Sequence, residues 1–159
     1  MPKLLRDPLY KFPMQRISQI SDAHCGPAVI QMLLSNVGIY VGQPAIVDAG
    51  DARERIEQHG MRIDQMGKAV VRLAPQTQYW FKENAGIKDI QIILAHGYPV
   101  GVEWQGDFSD DEEEEQNSEY ADSDFNKNDA GHYSVITHID REKDEIIIVD
   151  PYKSFSQRD

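Results

Sequence analysis

The sequence has a single cysteine and no long apolar run. One cysteine in 159 residues excludes an intrachain disulfide, which is typical of a reducing compartment or of an enzyme with a free thiol. No apolar stretch approaches the ~20 residues that a membrane-spanning helix needs. The first residues also lack the apolar core and cleavage site of a signal peptide. These absences predict a soluble, cytoplasmic protein without a membrane span.

Positive charge is scarce. The chain has 27 acidic and 16 basic side chains, for a net charge of −11. Residues 106–130 hold eleven acidic side chains and one lysine, so they carry nearly all of that excess. Nucleic-acid binding needs clustered lysine and arginine. The composition therefore predicts no nucleic-acid partner.

The acidic segment 106–130 has few apolar residues and no periodicity, which predicts a disordered insertion in one domain spanning 1–159. Its alternating oxygen side chains suggest a calcium loop, but the glycine and the glutamate that such a loop needs are missing. These side chains are Asp122, Asp124, Asn126 and Asn128. We therefore expect no metal site and no cofactor. The chain stops soon after Tyr152, which leaves open whether it is a fragment of a longer protein.

Helical patterns come before strand patterns, which is typical of an α+β domain. The predicted helices cover residues 25–36, a short stretch after Asp51 that ends at His59, residues 65–73 after a capping Asp64, and residues 88–95. The predicted strands cover residues 78–81, 99–104, 132–139 and 145–149. We expect residues 39–50 to be a connection, and Trp80 and Trp104 to lie in the core.

Cys25 lies at the start of the first predicted helix, in Gln-Ile-Ser-Asp-Ala-His-Cys-Gly-Pro-Ala. The partial positive charge at a helix N-terminus favours a thiolate over a thiol, and the thiolate is the nucleophile. Gln19 stands six residues upstream, where its amide can supply a hydrogen-bond donor. A cysteine at a helix start is thus a candidate nucleophile.

His132, in Gly-His-Tyr, and Asp150, in Asp-Pro-Tyr, flank a predicted β-hairpin. If its polar turn is centred on Glu142, Asp150 faces Ser134. Side chains two residues apart share a face, so His132 and Asp150 become diagonal neighbours. The hairpin therefore predicts an imidazole and a carboxylate within reach of each other, as a cysteine acyl-transfer site requires.

The motif Gln-x5-Cys-Gly-Pro-Ala, followed by Gly-His-Tyr and Asp-Pro, resembles the C39-like branch of the papain-like cysteine peptidases. The resemblance implies an N-terminal helical lobe and a C-terminal antiparallel sheet lobe in an α+β, papain-like fold. It implies that Cys25 is the nucleophile and His132 the general base. It further implies that Asp150 orients the histidine and that Gln19 donates to the oxyanion. The acidic segment has no counterpart in the pattern.

The other histidines are weaker candidates for the base. His59 and His96 each precede a glycine at a predicted helix end, where a cation suits the helix dipole. His24 is adjacent to Cys25, and neighbouring helix positions do not face each other. His138 lies six residues beyond His132 along the strand.

Asp140 competes with Asp150 for the role of orienting group, whereas Asn36 and Asn84 lack a strand position beside the histidine. The predicted function is hydrolysis of a peptide or protein substrate by a cysteine peptidase through a thioester. Three alternatives stay open: a thiol acyltransferase, a non-catalytic peptide-binding module on the same fold, and an acidic ion-binding or interaction protein.

Overall fold

The computed structural model describes residues 14–105 and 131–152. In these residues, helices come first and a three-stranded antiparallel sheet follows. The helices are α1 (Cys25–Asn36), α2 (Gln43–Ala49), α3 (Ile56–His59), α4 (Ile63–Leu73) and α5 (Ile87–Ala95). The strands are β1 (Val100–Gln105), β2 (Gly131–Asp140) and β3 (Glu145–Val149), in the order β1-β2-β3. The predicted α+β class, with its helical and sheet parts in this order, is confirmed.

Helix α1 is the centre of the core. Nearly all of its first ten residues are buried, because α2 and α4 pack on one side and the sheet on the other. Burying a large apolar side chain contributes about 1.5–3 kcal/mol. A Cβ added at Gly101 would lie only 3.1 Å from Val29 and 3.2 Å from Leu33. The glycine therefore lets the middle of α1 approach β1 closely.

The hairpin of β2 and β3 contains an irregularity that matters for the site. Asp140 pairs with Glu145 next to the turn, whereas Val135 pairs with Val149 further along. Between them, Ile136 and His138 mark a bulge that adds one residue to β2. A one-residue shift moves every side chain to the opposite face. The bulge thus produces the predicted register at the end where Asp150 follows β3.

Two sequence predictions about elements are wrong. Residues 43–49 form α2 rather than a connection, with Pro44 in the first helical turn, where proline is tolerated. Residues 78–81 are not a strand, since the described chain gives them no pairing partner. Tyr79 instead packs its ring over Gly67 of α4. Trp80 is 84% exposed rather than in the core.

The remaining helix boundaries differ only in detail. Helix α4 begins at Ile63, so Asp64 lies in its first turn and pairs with Arg62. Asp51 does not cap a helix, because α3 begins only at Ile56. Instead, the carboxylate of Asp51 forms ion pairs with Lys68 and Arg72 of α4. These pairs join the end of α2 to α4.

The acidic segment 106–130, including the calcium alternative, lies outside the described residues. Among the helices that are described, none has both the length and the apolar character needed to cross a membrane.

Candidate active site

Cys25 is the first residue of α1, as predicted, and its thiol is free. The residue is 9% exposed, so it lies at the edge of the core. A Cβ at the neighbouring Gly26 would come within 3.1 Å of the Met66 sulfur. The first turn of α1 is therefore packed closely against α4, and the position of the thiol is fixed by the core.

His132 lies near the start of β2, opposite Trp104 of β1. The two rings meet edge to face, with centroids 5.6 Å apart and planes at 85°. The His132 side chain is only 10% exposed. Trp104 was expected in the core, and the structure places it half-buried against the imidazole. The indole thus restricts the orientation of the ring and limits its contact with water.

Asp150 directly follows β3 and is fully buried. Both of its carboxylate oxygens lie 2.9 Å from Nε2 of His132. The Ser134 hydroxyl donates to Oδ2, and the backbone N–H of Tyr152 donates to Oδ1 at 2.7 Å. The predicted proximity of His132 and Asp150 is confirmed, including the pairing of Asp150 with Ser134 across the hairpin.

The surroundings of His132 change its basicity. Burial alone lowers the pKa of the imidazole, because it disfavours the charged form. Hydrogen bonds and charge interactions with Asp150 and Cys25 outweigh burial and raise the pKa to about 9. The imidazole is therefore mainly protonated at neutral pH, and the interactions that keep it so come from Asp150 and Cys25.

The segment before α1 is tied to the turn that holds Asp150. Arg16 donates from Nε to the Asp150 carbonyl at 2.7 Å and from Nη2 to the Pro151 carbonyl at 3.1 Å. The backbone N–H of Gln19 also donates to the Pro151 carbonyl, at 3.1 Å. These bonds bring the N-terminal and C-terminal parts of the site together.

The Gln19 side chain lies in the loop that leads to Cys25. Its Nε2 donates to the carbonyls of Ser21 at 2.9 Å and Asp22 at 3.2 Å. Its Oε1 is buried and has no hydrogen-bond partner in the described part of the chain. The amide therefore orders the loop before the helix, while its role as an oxyanion donor stays a prediction.

The competing histidines have other surroundings. His24 is buried directly before α1, with Nδ1 2.6 Å from the Ser21 hydroxyl. His59 ends α3, and His96 follows α5 with Nδ1 2.7 Å from the Ile92 carbonyl. Both helix-end positions were predicted. The rings of His24 and His96 thus have Ser21 and Ile92 as partners, and not the Asp150 carboxylate.

The competing oxygen side chains also lie elsewhere. Asp140 accepts hydrogen bonds from the backbone N–H groups of Glu142 and Lys143, at 3.0 and 3.2 Å, so it stabilises the hairpin turn. Asn36 ends α1, and Asn84 has a positive φ of 54° in the loop before α5. Within residues 14–105 and 131–152, no three His, Cys, Asp or Glu side chains are grouped so that they could hold a metal ion.

Sequence reasoning missed three residues around this site. The sequence predicts Ser134 opposite Asp150 but indicates no role for it, although it shares a face with His132. The sequence predicts Trp104 in the core, whereas its pairing with His132 follows from the register of β1. Arg16 carries no local signal, because its contacts with residues 150 and 151 join distant parts of the chain.

Comparison with known proteins places the chain in a family. The model of the Peptidase_C39 like family matches residues 11–159. The chain therefore belongs to this family, which supports a peptidase-type function. No curated protein sequence matches the chain.

Among solved structures, the chain is similar to the crystal structure of the peptidase domain of Streptococcus ComA, a bi-functional ABC transporter involved in a quorum sensing pathway. The sequence identity is 14% and the TM-score is 0.47. The match covers 89% of this chain and 82% of that one.

Proposed function

We propose that this chain is a cysteine peptidase that hydrolyses peptide bonds through Cys25, His132 and Asp150. The observation that carries the proposal is the position of the His132 ring. Its Nε2 lies 2.9 Å from both oxygens of the buried Asp150 carboxylate, and Cys25 at the start of α1 is close enough to raise the pKa of the same ring. A nucleophile, a base and an orienting group in contact are what thiol acyl transfer needs. Membership of a peptidase-type family supports the same reaction.

In this mechanism His132 already holds the proton of Cys25, so the reactive form is an ion pair of the Cys25 thiolate with the His132 imidazolium. Because Asp150 occupies Nε2, the ring nitrogen left for the thiol is Nδ1. The Cys25 thiolate attacks the carbonyl carbon of the peptide bond, and the imidazolium then gives its proton to the leaving amine. Water, deprotonated by His132, attacks the resulting thioester, which releases the acid and restores the thiol. The negative charge of Asp150 stabilises the imidazolium throughout.

The oxyanion is stabilised at the start of α1. The backbone N–H of Cys25 belongs to the first helical turn, where N–H groups have no partner within the helix. Gln19 is the proposed second donor. Since its Nε2 contacts the carbonyls of Ser21 and Asp22, one N–H must turn from these carbonyls towards the substrate. Loss of one such donor typically lowers kcat by about 10²–10³-fold.

The test is a mixed peptide library incubated with the wild type, Cys25→Ala and Gln19→Ala, with products identified by mass spectrometry. We expect cleavage by the wild type, none by Cys25→Ala, and roughly 10²-fold slower cleavage by Gln19→Ala. Cys25→Ala should still retain substrate peptides on a column, because the thiol contributes little to ground-state binding.

Two results would replace the proposal. If the wild type cuts nothing but both it and Cys25→Ala retain the same peptides, the chain is a peptide-binding module. If an added amine appears in the products and free acids do not, the chain is a thiol acyltransferase that passes the thioester to an acceptor other than water.

A further inference from the structure

We propose that Ser134 is a positioning residue for the candidate site, and that Trp104 fixes the direction of its hydroxyl. This inference rests on the proposed function. In the proposed mechanism, neither Ser134 nor Trp104 contacts the scissile bond. They act by holding the Asp150 carboxylate in the plane where both of its oxygens face His132.

The direction of the hydrogen bonds follows from the chemistry of the groups. Trp104 Nε1 lies 2.8 Å from the Ser134 oxygen, and an indole N–H can only donate. The hydroxyl therefore accepts from Trp104. Its own proton is directed to Oδ2 of Asp150, which it also contacts. The indole thus donates to the hydroxyl and the hydroxyl donates to the carboxylate, which also accepts the N–H of the imidazole.

The carboxylate is held from both sides. Oδ1 accepts the backbone N–H of Tyr152 at 2.7 Å, and Oδ2 accepts the Ser134 hydroxyl. With a donor on each oxygen, the group cannot rotate without losing a bond. This explains why both oxygens stay 2.9 Å from His132 Nε2.

Burial makes these contacts effective. Ser134 and Asp150 are both 0% exposed, so water cannot take over a hydrogen bond that is lost. In such surroundings an unsatisfied donor or acceptor is costly, and a fully connected network orients its members. Removal of the hydroxyl leaves the Trp104 N–H and Oδ2 of Asp150 each without this partner.

The experiment compares Ser134→Ala, Trp104→Phe and the double variant, with Val135→Ala as the control. Val135 is the next residue on β2 and is also 0% exposed, but it packs into the core. Its truncation costs stability without touching the carboxylate. Trp104→Phe keeps an aromatic ring beside His132 but removes the N–H donor, together with part of the indole volume.

We expect Ser134→Ala to lower kcat by roughly 10–100-fold, the range found for groups that orient metal-binding side chains, with KM little changed. Trp104→Phe should have a smaller effect, and it should add nothing to Ser134→Ala, because it acts through the same hydroxyl. Val135→Ala should lower the melting temperature but keep kcat. Equal kcat values for Ser134→Ala and Val135→Ala, or additive losses in the double variant, would overturn the inference.

A second measurement needs no activity. In NMR spectra, the Nε2–H proton of His132 should be protected from exchange with water in the wild type and in Val135→Ala. It should exchange faster in Ser134→Ala, because the carboxylate is free to turn. If the wild type proves not to be a peptidase, this signal alone decides the inference. An unprotected proton in the wild type, or equal protection in Ser134→Ala, contradicts it. If Ser134→Ala does not fold, Trp104→Phe must show faster exchange than Val135→Ala, or the inference is wrong.

Discussion

Nε2 of His132 is equidistant from the two oxygens of Asp150, at 2.9 Å, although the residues are 18 positions apart in the sequence. The carboxylate is completely buried, and a buried charge is tolerated only when it is paired and hydrogen-bonded. The imidazolium, the Ser134 hydroxyl and the Tyr152 N–H supply these partners. The hairpin is therefore built around this pair.

Replacement of Asp150 with Asn should keep the fold but weaken catalysis. Three donors converge on the carboxylate, whereas an amide offers one oxygen and adds a donor of its own. We expect the free energy of unfolding to fall by about 1–3 kcal/mol and kcat to fall by roughly 10²-fold or more. Urea denaturation and a peptide-cleavage assay measure the two effects.

Asp140→Asn is the matched control for that prediction. Asp140 lies in the same hairpin, and its Oδ1 accepts two backbone N–H bonds at the turn. An asparagine oxygen can accept the same bonds, so kcat should not change. An equal loss of activity in Asp140→Asn and Asp150→Asn would mean that the histidine is not oriented by Asp150 specifically.

Alkylation of Cys25 should depend on His132. The thiolate is the form that reacts with iodoacetamide, and a neighbouring imidazolium favours it. At neutral pH we expect the reaction to be about tenfold slower, or more, in His132→Ala. His24→Ala is the control, because this ring is adjacent in sequence but bonds to Ser21. If His24→Ala slows the reaction and His132→Ala does not, the ion pair is wrongly assigned.

Stability should fall as the pH rises from about 6.5 to about 9. The pKa of His132 is raised from 6.5 to about 9 in the folded chain, so the folded state binds more protons than the unfolded state in this range. The contribution of His132 is fully present below pH 6.5 and is lost as the pH passes through about 9. Its size is on the order of 3 kcal/mol.

Urea denaturation at pH 6 and pH 9.5 measures this change. His132→Ala lacks the group, so its free energy of unfolding should fall less between the two pH values. For each variant, the change in the free energy of unfolding between the two pH values is measured. The difference between the changes in the wild type and in His132→Ala gives the contribution of His132, separate from that of the other titrating residues. Equal changes in the wild type and His132→Ala would show that Asp150 and Cys25 do not raise the pKa of the ring.

Much of the candidate site could be predicted from the sequence because its signals are local. The start of α1 at Cys25 follows from an apolar helical pattern, and the pairing of His132 with Asp150 follows from strand alternation around a polar turn. The register of β2 with β3 nevertheless depends on a bulge between Ile136 and His138, and no local sequence pattern predicts this bulge. Without the bulge, the turn at Asp140 and Glu145 would put Asp150 on the opposite face of the hairpin.

The errors share a physical cause. Trp80 belongs to an aromatic run that favours a strand, but a strand also needs a partner. In this run Tyr79 packs against Gly67 of α4 instead, and Trp80 stays exposed. The contacts of Arg16 with residues 150 and 151 join the two ends of the described chain. Both cases depend on tertiary contacts, which local propensity cannot specify.

The acidic segment should be dispensable for folding. Gln105 at the end of β1 is the register partner of Gly131 at the start of β2. Antiparallel neighbours such as these can be joined by a loop of about two to five residues, the usual length in a β-hairpin. The segment between them carries few apolar side chains, so its removal should change the apolar surface that is buried on folding only slightly. A short Gly/Ser linker in place of residues 106–130 should therefore preserve the fold.

Thermal denaturation of this deletion and of a variant with a neutral Gly/Ser segment of full length gives the test. Because each twofold change in loop length alters the closure entropy by only about 0.6 kcal/mol, both variants should melt within about 10 °C of the wild type. A larger fall in both would mean that the acidic side chains contribute to the folded state. A large fall in the deletion alone would mean that β1 and β2 need a longer connection, contrary to their pairing. Calcium that raises the melting temperature of the wild type only would restore the ion-binding alternative for this segment.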